Sequence, residues 1–236
     1  VILLALLTIF ISAGLWQLGR AGEKYDLRAA FAAGTLVEVL QEPVNNIDMA
    51  DHRFRRVELT GRYDPQHQIL LDSIVADGRN GYQVLTPFQT EEQTLLVNRG
   101  WLAADTDRSI LPNIDVDSEP RTIVARINRL PVPGMILDAP ALEATEWPRR
   151  MLYPTRDQIV AALGTPVPDF QLLLGADQDG GYLRDWKAVE VGPQKHYGYA
   201  FQWFSFAILA LIIYVILNVR WNRQHKKSLA TEHDNE

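Results

Sequence analysis

His196, Ala200 and Trp203 recur at i, i+4 and i+7, and Tyr199, Gln202 and Phe206 form the adjoining stripe at i, i+3 and i+7. On a helix each set shares one face. A neutral imidazole is a good iron ligand. The small Ala200 leaves room beside it, and an adjacent aromatic wall suits a flat apolar macrocycle. Near the other end of the chain Trp16, Arg20 and Lys24 recur at i, i+4 and i+8. Their two cations could pair with haem propionates at headgroup depth. The same residue types also serve a membrane helix that binds nothing: Tyr and Trp collect at bilayer edges, and basic side chains snorkel to the surface. Gln202 needs a partner in either case, because an amide about two turns inside an apolar helix is costly. The first apolar run, another protein or a ligand would each supply one.

These residues lie at the edges of two uncharged runs, residues 1–18 and 197–219. At 1.5 Å per residue the runs span roughly 27 and 34 Å, enough for a hydrocarbon core of about 30 Å. They are read as two transmembrane helices, with a domain over 19–196 between them and a tail over 220–236. The chain starts with Val inside an apolar run, so further residues are expected before it. A cleaved signal peptide is the competing reading of the first run, but the run is long for one. Its only small-residue cluster near the end, Ser12-Ala13-Gly14, lies inside it. Arg220, Arg223, Lys226 and Lys227 favour a cytoplasmic tail. Arg20, Lys24 and Arg28, with Arg184, Lys187 and Lys195, argue the other way. The segment between the runs is too long for its charge to dictate topology; the tail decides, and the domain is placed outside the cytoplasm.

The chain of 236 residues carries 23 Lys and Arg against 29 Asp and Glu, a net charge of −6. Residues 220–236 hold four of the basic and three of the acidic side chains, so the remainder is at −7. An acidic domain is no nucleic-acid partner. There is no cysteine, which excludes a disulfide, a thiolate metal site, a thiol nucleophile and a copper carrier built on a Cys pair. The five histidines are scattered, and none forms a metal-spaced pair on one helix face. His52 and His67 are read as solvent-side residues. There is no Walker loop, G-x-S-x-G or H-E-x-x-H. Asp177-Gln178-Asp179-Gly180-Gly181 begins like a calcium loop, but Tyr182 stands where the loop needs glycine and Ala188 where it needs a carboxylate. Glu143 and Glu146, near Trp147-Pro148, read as solvated carboxylates. With no nucleophile–base set, the chain is not expected to be an enzyme; a membrane-anchored hydrolase would need a convergent Ser, Asp or His set in the domain.

Between the runs the periodicity changes from helical to alternating. A helix is expected to continue over 16–33, followed by a loop around Pro43-Val44-Asn45-Asn46. Strands are expected over 54–63, 68–71, 82–88, 94–101, 122–130 and 170–174. Pro87 suggests that the third is an edge or an end. Residues 105–120 and 131–148 read as loops. A short helix opens after Thr155 as N-cap and ends at Gly164. Short strands at this spacing give an α+β membrane protein: two transmembrane helices flanking a mainly antiparallel β domain, barrel- or sandwich-like, with short helices.

Five blocks in order resemble the SURF1 family of cytochrome oxidase assembly factors. They are Gly14-Leu15-Trp16-Gln17-Leu18-Gly19-Arg20 with Lys24; Val57-Glu58-Leu59-Thr60-Gly61-Arg62-Tyr63-Asp64; Gly81-Tyr82-Gln83-Val84-Leu85-Thr86-Pro87-Phe88; Leu96-Val97-Asn98-Arg99-Gly100-Trp101; and His196-x-x-Tyr199-Ala200-x-Gln202-Trp203-Phe204. The resemblance covers about residues 13–220. It implies a multi-pass protein of the bacterial cytoplasmic (inner) membrane with its main domain periplasmic, assisting maturation of the haem–copper oxidase catalytic subunit. It also implies non-covalent haem a binding, with the histidine that opens the second span as axial ligand; that histidine matches His196. The tryptophan of the first block matches Trp16. The expected cofactor-binding residues are therefore His196, Trp16, Tyr199, Gln202, Trp203, Arg20 and Lys24. The expected partners are the oxidase catalytic subunit, haem a synthase and membrane lipid. The alternative is a haem-independent scaffold that stabilises an oxidase subunit. Arg99-Gly100-Trp101 is read as fold maintenance, with partner docking as the competing reading.

Overall fold

The computed structural model describes residues 1–41, 48–131, 146–188 and 191–233. In chain order the elements are α1 (Ile2–Leu36), β1 (Leu40–Gln41), α2 (Met49–His52), β2 (Arg56–Tyr63), β3 (Ile69–Ala76), β4 (Arg79–Gln89), β5 (Thr94–Ala103), β6 (Arg121–Arg129), β7 (Arg149–Met151), α3 (Arg156–Leu163), β8 (Phe170–Leu174) and α4 (Pro193–His233). They fall into two compact units, Val1–Ala29 with Ala188–Glu236, and Ala30–Lys187. These boundaries lie further into the chain than the ends of the uncharged runs.

The first unit is a pair of helices, both long and apolar enough to cross a membrane. They outrun the uncharged segments because nothing in the flanking sequence stops them: Arg20, Ala21, Glu23 and Lys24 are good helix formers. On α1 the less exposed positions include Leu3, Leu7, Phe10, Gly14, Gln17, Ala21 and Lys24; on α4 they include Pro193, His196, Ala200, Trp203, Ala207 and Ala210. Both rows advance by alternating steps of three and four, the spacing of a helix–helix seam. Small residues line it and let the backbones approach. Phe10 meets Trp203 and Phe206, Gln17 meets His196, and Arg28 meets Gln194, so the helices run antiparallel. Ile9, Ile11, Leu15, Ile208, Leu211, Ile212 and Val215 stay exposed, as a lipid-facing surface requires.

The second unit is one eight-stranded sheet in the order β1-β2-β6-β8-β5-β4-β3-β7, closed by an additional β2–β4 pairing. The ring is β2, β6, β8, β5 and β4, a small barrel. Five of its pairings are antiparallel, and β1–β2, β3–β7 and β5–β8 are parallel. Alternation sorts the side chains. Val57, Leu59 and Tyr63 from β2, Ile123, Ala125 and Ile127 from β6, and Leu95 and Val97 from β5 fill the interior with Phe88, Phe170, Leu172 and Leu174. Leu96 points the other way and joins Ile69, Leu71, Leu85 and Val167 beneath Ile159 of α3, so β5 reads as a continuous buried run. Thr155 caps α3 with a reciprocal box: Gln158 N donates to Thr155 Oγ1, and Thr155 N donates to Gln158 Oε1. Gly164 ends the helix at φ 69°.

Of the two expectations for Pro87 the edge fails, while the end holds, because Pro87 stands two residues before the end of β4. β4 is no edge strand, since it pairs with β3 and β5. Pro87 is tolerated because β3 pairs only as far as Leu85 and β2 only from Phe88, so the proline falls in the gap between two partners, opposite Leu96 of β5. β1, α2 and β7 were not foreseen. Within this unit Arg126 donates to Phe31 O at 2.7 Å and to Thr35 Oγ1 at 2.9 Å, placing a cation at the C-terminal end of α1, where the helix dipole favours it.

Candidate functional site

α4 opens at Pro193, a residue preorganised for a first helical position, and this puts His196 in its first turn, on the seam. His196 Nδ1 lies 2.8 Å from Gln17 Oε1 across the helix pair. Trp203 stacks on Phe10 with ring centroids 5.9 Å apart, and Phe206 tilts against both. The seam is filled between these levels. A Cβ on Gly14 would stand 2.6 Å from the Phe204 ring, so any larger residue there has to displace that ring.

The other expected residues lie on one flank of this seam. In an antiparallel pair, the positions that precede facing residues on the two helices project to the same side. Trp16 precedes Gln17, Tyr199 precedes Ala200 and Gln202 precedes Trp203. Trp16 and Tyr199 are more than half exposed, at 57% and 54%. Arg20 lies over the Trp16 ring at 5.7 Å and pairs with Glu23 at 2.8 Å, so its guanidinium is engaged but accessible. Lys24 is half-buried on the seam row. The structure thus joins His196 and Trp203 directly to α1 and sets Trp16, Arg20, Tyr199 and Gln202 around them on an open flank. Gln202 receives no hydrogen bond from α1 among the described residues and faces outward. A macrocycle held by His196 would stand against this flank, because the seam itself has no room for it.

Two contributors were missed in the sequence: Gln17, which stood only inside the first of the five resembling blocks, and Phe10. Both carried a signal. Gln17 is the one amide side chain in the first uncharged run, and Phe10, Gly14 and Gln17 keep the step of four and three.

In the β unit, Arg99-Gly100-Trp101 holds the fold. Arg99 is 2% exposed. It donates to Gly180 O, Gln68 Oε1, Ile114 O, Asp115 O and Tyr182 Oη, and lies near the Tyr63 and Tyr182 rings. No carboxylate pairs with it among the described residues. Burial lowers its pKa, opposed by the two tyrosines. Burial also pushes the Tyr63 phenol up to about 12, opposed by Arg99, Arg121 and Arg184, and raises Tyr182. Gly100 sits at φ 113°, against Leu183 O, and Trp101 Nε1 donates to Ile74 O.

The loop that begins like a calcium site is tied down by Arg184, which donates to Gly175 O and Gln178 O. His67 contacts Asp64 at 2.7 Å and the edge of Trp147, and His52 Nδ1 contacts Asp48 O. Glu146 is exposed. Glu143 and the loop around Pro43 lie outside the described residues, as does most of 131–148.

The comparisons with known proteins agree with one another. A SURF1-like protein of Rickettsia felis is 26% identical over 226 residues, covering 91% of this chain and 94% of its own. An uncharacterized SURF1-like protein of Mycobacterium tuberculosis is 27% identical over 219 residues, covering 89% and 79%. Surfeit locus protein 1 of Takifugu rubripes is 26% identical over 106 residues, covering 38% and 44%. The sequence profile of the SURF1 family matches residues 4–208, nearly all of α1, the whole barrel and the first part of α4, and the chain belongs to the SURF1 family.

Proposed function

We propose that this protein is an assembly factor for haem–copper oxidase that binds haem a as cargo and presents it to the oxidase catalytic subunit. Family membership carries the role in cytochrome oxidase assembly. The observation that supports haem is the placing of His196: it opens α4 at the end of an apolar span, half-buried, and no hydrogen bond occupies its Nε2 among the described residues. A neutral imidazole with one uncommitted nitrogen is the donor that haem iron takes. Trp16, Tyr199 and Trp203 supply ring faces for a flat apolar body. Arg20 would exchange Glu23 for a propionate, and Lys24 would add a second cation. The protein sits in the bacterial inner membrane with its barrel on the periplasmic side, beside the oxidase subunit and haem a synthase. Its residues bind, orient and release; no bond to the cargo other than ligation is made or broken.

A haem-independent scaffold is the second reading. What favours it is the contact between His196 and Gln17, the kind of polar bond that holds membrane helices together with no ligand present.

Copurified pigment separates the two. The full-length protein is made in a host that synthesises haem a, purified in mild detergent and assayed as the reduced pyridine haemochrome. Haem a in the wild type and its loss in His196→Ala is the expected result. A colourless wild type from a host with confirmed haem a synthesis removes the cargo reading and leaves the scaffold.

A further inference from the structure

We infer that Gln17 is the positioning residue of His196: it fixes the imidazole tautomer and so aims Nε2 at a ligand. The inference rests on the haem reading above. An amide oxygen only accepts, so the 2.8 Å contact of Gln17 Oε1 with His196 Nδ1 puts the ring proton on Nδ1. The neutral ring then carries its lone pair on Nε2. A metal-ligating histidine has this arrangement, one nitrogen donating to an oxygen acceptor while the other faces the metal. A histidine side chain free in water prefers the opposite tautomer, with the proton on Nε2, so the chain has to impose this one.

The surroundings leave that task to Gln17. Its carboxamide is held in the seam between Gly14 and Ala21, the latter fully buried, with Ala200 facing it at 2% exposure. The ionisable side chains on the same stretch of α1 are otherwise disposed: Arg20 is paired with Glu23, and Lys24 can only donate. No carboxylate reaches His196 among the described residues. Gln17 is not itself a ligand; the oxygen that could bind a metal is spent on the imidazole. Its contribution is to keep the lone pair on Nε2 and to hold the ring at one angle, and it does so from α1, so ligation by α4 requires the two helices to stay in register.

The test uses full-length protein carrying isotope-labelled histidine, free of haem, in detergent micelles at about pH 8, where imidazole is neutral. Ring nitrogen shifts of His196, assigned by difference from His196→Ala, report which nitrogen is protonated. Wild type and Gln17→Glu should carry the proton on Nδ1, and Gln17→Leu on Nε2. Haem a is then added to the same proteins. Gln17→Leu should bind about tenfold or more weakly, the usual loss when such a partner is removed. Gln17→Glu should retain binding, with the midpoint potential of the haem below that of wild type, because a carboxylate makes the ring a stronger donor. A wild type protonated on Nε2 overturns the inference, and so does a Gln17→Leu protein equal to wild type in tautomer and affinity. Haem binding that is lost in His196→Ala yet untouched in Gln17→Leu removes the role of Gln17 alone. Absence of haem binding in the wild type removes the function and this role together.

Discussion

Gly14 packs directly against the Phe204 ring across the helix pair, for a methyl group on Gly14 would stand 2.6 Å from the ring. Gly14→Ala moves the end of that ring and costs little. Gly14→Leu cannot be absorbed in the same way and should part the helices at this level. The absence of cysteine makes the measurement simple. Phe10→Cys with Trp203→Cys, one seam layer away, should be joined efficiently by a short bifunctional thiol reagent. Adding Gly14→Leu should cut the yield severalfold, and an unchanged yield would show that the seam is not set by this contact.

Arg99 should behave as a core residue although it is charged. Its five acceptors include Gln68 Oε1, which also accepts from Thr86 Oγ1 at 2.9 Å. Removing the guanidinium takes this donor from Gly180 O and Asp115 O, while Gln68 Oε1 and Ile114 O keep Thr86 and Gln68 Nε2, and empties the buried space it filled; each such loss costs about 1–3 kcal/mol. Arg99→Ala should therefore lose about 3 kcal/mol or more, and Tm should fall by roughly 10 °C for a domain of this size. Arg99→Lys should rescue little, because a single ammonium cannot reach a ring of acceptors set out for a planar fork. Calorimetry on both variants checks this. A near-wild-type Arg99→Ala protein would return the Arg-Gly-Trp block to the surface-docking reading.

Tyr63 makes the barrel sensitive to alkali. Its phenol is pushed up to about 12 by burial, against about 10 in an unfolded chain. Between those values the unfolded chain gives up its proton while the folded one keeps it. The stability contributed is fully present below about pH 10 and is lost as pH rises towards 12. Tyr63→Phe should flatten the fall of Tm with pH over that window. It should cost little at neutral pH, since the phenol oxygen is buried without a hydrogen-bond partner among the described residues. An equal slope in the two proteins would place the alkaline lability elsewhere.

Much of the barrel was legible in the sequence because its strands alternate and its turns are marked. The short helix after Thr155 was readable to its ends, since both cap residues announce themselves locally. β1 and β7 were not, being two and three residues long and joined to the sheet by parallel pairing, with no local pattern to betray them. Pro87 misled because a proline is read against one strand, whereas its tolerance depends on two partners exchanging at that point. At the site, His196, Trp203 and the flanking aromatics stood out by spacing alone. The bond between His196 and Gln17 did not, since it depends on how two helices 179 positions apart are phased against each other. That phase is set by Gly14, Ala200 and Ala207, residues that carry no chemistry of their own.

The closure of β2 onto β4 leaves the domain with very little edge. The outermost strands are the two-residue β1 and the three-residue β7, which contains Arg149 and Arg150. The rest of β3 is broken by a bulge between Leu71 and Ile74, and the Ile74 carbonyl is already taken by the Trp101 indole. Among the described residues such edges offer no long row of free amides on which a second copy or a nascent strand could template. A domain with so few open edges can thus meet an extended segment of another protein through side chains without being drawn into a shared sheet.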